Sequence, residues 1–95
     1  MDKEKTKVIF RMFGDGQVIA FFPEIATDTK GYYCQSYMHV GQHSAANPGL
    51  TNQTTPASEE DYQGLFDELT KIGYNLEVIK RFRYSHYETR KQTYK

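Results

Sequence analysis

The sequence predicts an α+β domain of order β-β-β-α-β, a four-stranded, mainly antiparallel sheet with one helix on one face. Three observations predict it. Two runs rich in Val, Ile and Phe, KVIFRMF and QVIAFFP, flank Gly-Asp-Gly, which is turn chemistry. The segment YYCQSYMHV (32–40) alternates with period two, as a strand does. The segment SEEDYQGLFDELTKIG has apolar residues at helical spacing and a cap signal at each end.

The first two strands form a hairpin. A three-residue loop with a glycine bulge at Gly16 pairs Phe13 with Gln17. That register puts Val8, Phe10, Met12, Val18, Ala20 and Phe22 on one face, and Ile9, Arg11, Phe13, Ile19 and Phe21 on the other. Pro23 has no N–H for the ladder and is expected to end the second strand. In the third strand Cys34, Ser36 and Met38 are the smaller, more apolar set and are assigned to the core under the helix. Tyr33, Tyr37 and His39 take the opposite face. The following GQHSAANPGLTNQTTPA is rich in Gly, Asn, Thr and Pro and reads as a long loop.

The helix begins at Ser58, an N-cap with Asp61 placed to reach back, and Gly73 is its C′ residue. Gly64 weakens it by roughly 1 kcal/mol relative to alanine and is expected to let it approach the sheet. The segment YNLEVIKRFRY is the last strand, brought parallel to the first by a right-handed crossover.

Ninety-five residues make one domain: a flexible N-terminus at 1–6, the fold at 7–84 and a basic C-terminal tail at 85–95. A single cysteine excludes an internal disulfide framework. No apolar run approaches the roughly 20 residues of a membrane span, and the charged start does not resemble a signal peptide. A cytoplasmic protein with no membrane contact is the expectation. The zero net charge hides an asymmetry. Residues 80–95 hold six basic groups against Glu88 alone, a balance of +5, and residues 1–79 carry the matching −5.

One helix covers one face of a sheet. The second face is therefore expected to lie open, with Arg11, Phe13, Phe21, Tyr33, Tyr37, His39, Arg81 and Arg83 on it. Aliphatic and aromatic groups mixed with bases on an open face imply a partner. Two partners fit. One is a second copy of the chain, giving a homodimer that Phe21→Glu would dissociate without unfolding the helix side. The other is single-stranded nucleic acid, with bases stacked on tyrosines and phosphates held by arginines and the tail.

The segment HVGQH reads as the end of a strand and its exit turn, with Gly41, Gln42 and His43 in the turn. A zinc site would need His39, His43 and a third ligand such as His86 or Cys34 to converge. The strand geometry points His39 and Cys34 to opposite faces, so no metal and no cofactor is assigned. No nucleophile, phosphate-loop or paired-carboxylate pattern supports a reaction, and a non-enzymatic binding or assembly module is expected.

The segments KVIFRMFGDGQVIAFFPE, SYMHVGQHSAANP and ASEEDYQGLFDELTKIGYNLEVIKR together resemble a group of small proteins from gut bacteria and phages. These share a DG hairpin and an HVGQH signature. The resemblance covers most of residues 7–83, implies no activity and carries over no functional residue.

Overall fold

The computed structural model describes residues 5–38 and 42–92. It is an α+β fold. The strands are β1 (Thr6–Met12), β2 (Val18–Ala26), β3 (Cys34–Met38), β4 (Gln42–Ala46), β5 (Thr55–Pro56) and β6 (Leu76–Val78). The helices are α1 (Glu59–Ile72) and α2 (Tyr84–Gln92), with a 3₁₀ turn at Pro48–Gln53. The sheet runs β4-β3-β2-β1-β5, and β6 also pairs with β1.

The hairpin forms with the predicted register. Met12 pairs with Val18, and the Phe13 N–H donates to the Gln17 carbonyl at 2.9 Å. Gly16 holds φ at +89°, the left-handed conformation that the bulge requires. Alternation then sends Val8, Phe10, Val18, Ala20 and Phe22 to the α1 side, where they pack with Leu65 and Leu69. Ile9, Ile19 and Phe21 go to the second side. The last strand pairs parallel to the first, with Thr6, Lys7 and Val8 opposite Leu76, Glu77 and Val78. β5 takes the rest of that outer edge, antiparallel, at Arg11 and Met12. Where β5 and β6 diverge, an apolar cleft of about 480 Å³ opens over Phe10, Tyr62 and Val78.

Helix α1 starts and stops as its sequence dictates. The Asp61 N–H donates to Ser58 Oγ at 3.2 Å, and the Ser58 N–H donates to Asp61 Oδ2 at 3.2 Å. The Gly73 N–H closes the other end on the Leu69 and Thr70 carbonyls. Gly64 does not serve close packing: it is exposed, and a Cβ there would meet nothing within 4 Å. Gly64→Ala should therefore raise stability by roughly 0.5–1 kcal/mol through backbone entropy alone. The urea midpoint measures it, and a lower midpoint would contradict the packing seen at this position.

Four expectations are corrected. The segment after β3 is not structureless, because β4 extends the sheet antiparallel to β3, and an Asn47 side-chain cap starts the 3₁₀ turn. Second, Pro23 does not end β2. Between Phe22 and Ala26 β2 advances four residues while β3 advances one, so the extra residues form an irregularity that absorbs the missing N–H. Third, the parity of β3 is reversed. Tyr37 lies opposite Ala20 and so faces α1, whereas Cys34 and Met38 pack on the second side. Tyr37 is admissible in that core because its hydroxyl donates to the Glu68 carboxylate of α1. Fourth, the tail is not loose. Residues 84–92 form α2, which packs against β2 and makes a second helix beside a sheet of six strands.

Candidate nucleic-acid interface

The second sheet face is covered from within the chain. Ile9, Ile19, Phe21, Cys34 and Ala46 form a buried cluster, with Phe13, Met38, Leu50, Ile79 and Phe82 packed against it. Phe21 is fully buried, and Phe82 meets it edge-on at 5.6 Å. Arg11 is engaged too: Nε donates to Thr54 Oγ1 at 3.0 Å, and Nη2 to the Thr51 and Thr54 carbonyls at 2.9 and 2.7 Å. It fastens the 3₁₀ segment to the sheet. Tyr37 is on the other side altogether. Of the residues assigned to an open face, Tyr33, Arg81 and Arg83 are exposed, and His39 lies outside the described residues.

The signature segment divides in the same way. Gly41 lies outside the described residues, and Gln42 is placed only as the first residue of β4. His43 sits in β4 opposite Tyr37, not in a turn. Its ring meets Tyr37 edge-on at 4.7 Å, and its Nε2 is 3.1 Å from the Tyr74 hydroxyl. Burial pushes the Tyr74 hydroxyl above its ordinary pKa, so it is protonated at neutral pH. His86 and Cys34 belong to the opposite side of the sheet from this group. Burial pushes the Cys34 thiol up to about 11 despite the opposing charge of Arg90, which makes it a small apolar filler. Among the described residues no three His, Cys, Asp or Glu side chains gather as metal ligands, and no helix is long and apolar enough to cross a membrane.

What the fold does assemble is a patch of tyrosines with bases around it. On α2, Tyr84, Tyr87 and Lys91 recur at i, i+3 and i+7, which is one helical stripe. Tyr32, from the loop before β3, stacks on Tyr87 at 6.2 Å with 11° between the planes. Tyr84 leans on the same ring at 5.7 Å. The Lys91 ammonium stands 5.1 Å from its centroid. Tyr32 is 56% exposed and Tyr84 69%, so each ring keeps a large free surface. The loop is held by Asp28, whose carboxylate accepts the Tyr33 N–H at 2.9 Å and the Tyr32 N–H at 3.3 Å. Those bonds, the Tyr33 one foremost, hold its pKa below the ordinary value. Lys30 of that loop and Lys91 of α2 add positive charge, and Arg81 and Arg83 stand exposed just before α2.

Sequence reasoning missed Tyr32, Tyr84, Tyr87 and Lys91. The signal was present as the 84–87–91 spacing, with His86 and Arg90 four apart on a second stripe. No family model, curated protein or solved structure matches the chain.

Proposed function

We propose that this protein binds single-stranded nucleic acid without catalysis, through the tyrosine patch formed by α2 and the loop before β3. The observation that carries the reading is the Tyr32–Tyr87–Tyr84 cluster, more than half exposed at two of its three rings and flanked by Lys91. Bases stack on aromatic rings regardless of sequence, and lysines and arginines along the same strip hold phosphates. The +5 balance of residues 80–95 supports this, since the rest of the chain is acidic and would repel a polyanion elsewhere. The apolar groups that suggested self-association are buried within the chain, against Leu50, Ile79 and Phe82, so the patch is the better-supported surface.

Fluorescence anisotropy of a labelled oligothymidine at low salt tests the proposal. Binding should weaken steeply as salt rises. Tyr84→Ala removes an exposed ring without touching the core, and should weaken binding about tenfold, the size of one lost stacking contact. Flat anisotropy at low salt, or a Tyr84→Ala protein that binds as well as wild type, overturns it.

A further inference from the structure

Helix α2 packs against β2, and the side chains it buries are polar. His86 is 3% exposed and Arg90 4%. Arg90 donates from Nε to the Gly31 carbonyl at 2.8 Å and from Nη1 to the Pro23 carbonyl at 2.6 Å. His86 stands three residues into the start of the helix. Its ring Nδ1 accepts the Arg83 N–H at 2.9 Å, while the backbone N–H of His86 donates to the Arg83 carbonyl at 3.0 Å. The first of these bonds is the reach-back half of a capping box, with an imidazole in place of the usual Glu or Gln. The helix lies so close to the β2–β3 loop that a Cβ on Gly31 would stand 2.9 Å from the Lys91 nitrogen.

We propose that α2 is a proton-sensitive latch: protonation of His86 breaks its cap on Arg83, loosens the helix, and so dismantles the tyrosine patch and uncovers the sheet beneath. The binding consequence rests on the reading of that patch as a nucleic-acid interface; the structural consequence does not. Only an unprotonated Nδ1 can accept the Arg83 N–H, so a proton there turns an acceptor into an opposing donor. The charges facing the ring disfavour the proton as well. Lys7 of β1, Arg83 and Arg90 are cationic, and among the described residues the facing carboxylate is Glu24 of β2, 3.3 Å from Lys7 and already paired. Burial, foremost, and those three cations lower the His86 pKa, with Glu24 opposing. The folded-state value thus lies below the ordinary 6.5. The stability from neutral His86 is complete above that pH and is lost as pH falls below it, because the released state then binds the extra proton.

The test compares wild type with His86→Gln, which keeps an acceptor for the Arg83 N–H and does not titrate. Oligothymidine affinity is measured from about pH 7.5 to about pH 5.5 at constant ionic strength. Wild type should weaken by about tenfold, the scale of one lost hydrogen bond, and against the gain that added positive charge gives any polyanion binder. His86→Gln should not weaken. In parallel, N-ethylmaleimide labelling of Cys34, expressed as the wild-type rate over the His86→Gln rate, cancels the pH dependence of the thiol itself. That ratio should rise on acidification. Should His86→Gln fail to fold, hydrogen exchange of the 84–92 amides relative to those of α1 in wild type reads the same release. A labelling ratio or exchange ratio that stays flat with pH overturns the latch. Failure to bind oligothymidine at any pH, with the ratio still rising, leaves the latch standing and removes the interface. Binding that persists with both readouts flat does the reverse.

Discussion

Replacing Phe21 by glutamate should unfold the domain. Phe21 is fully buried in the cluster on the second side of the sheet, beneath Phe82 and beside Ile9, Ile19 and Cys34. The substitution removes a ring worth about 3–5 kcal/mol by truncation alone and puts an unpaired carboxyl in its place, which adds a further desolvation cost. A domain of this size has only about 5–15 kcal/mol in total. The expected result is loss of the cooperative urea transition and of the far-ultraviolet dichroism of folded protein at neutral pH. A variant that remains folded and merely changes its association state would show that the face is open, contrary to the packing described.

The next largest effect is expected at Arg90. Arg90→Ala leaves the Gly31 and Pro23 carbonyls buried without a donor, at about 1–3 kcal/mol each. It also removes the fork that joins α2 to the loop carrying Tyr32. The outcome should be a folded α1 side with α2 detached: lower helicity, a dye such as ANS bound to the part of β2 that α2 leaves, and no oligothymidine binding. Arg90→Lys should recover little, because one ammonium cannot span two carbonyls in the planar geometry of a guanidinium. Unchanged helicity and no dye binding in Arg90→Ala would show that the helix is held by something other than these bonds.

These two residues also mark where the sequence could be read and where it could not. The hairpin was legible to the residue, because Gly-Asp-Gly admits few turns and a register error would have exposed every apolar side chain on one face. Helix α1 was legible from its caps. β3 was not, since its parity is set by the irregularity in β2 near Pro23. Size and polarity pointed the wrong way: Tyr37 is the larger and more polar choice for the α1 side, and it fits because Glu68 accepts its hydroxyl hydrogen. Helix α2 was illegible for a related reason. Its anchors are His86 and Arg90, residues that ordinarily mark a solvated face, and the carbonyls that satisfy Arg90 lie 59 and 67 residues away in sequence. A buried arginine cannot be told from a surface one until its acceptors are known. With the tail read as solvent-exposed, the tyrosine patch that depends on it was dispersed among unrelated segments.

Strand β1 lies inside the sheet, although it precedes every other strand in chain order. Its outer edge is finished only by residues 55–56 and 76–78, and the sides of its hairpin are covered by α1 on one face and by Leu50, Ile79 and Phe82 on the other. A nascent chain leaves the ribosome N-terminus first, so a hairpin apolar on both faces must wait for residues as far on as Phe82 before it can be enclosed. Closing Thr6 onto Leu76 also spans almost the entire domain, which places folding among the slower, high-contact-order cases for so short a chain. The interval between the hairpin and Phe82 is thus the one in which its apolar faces are uncovered and open to association with other chains.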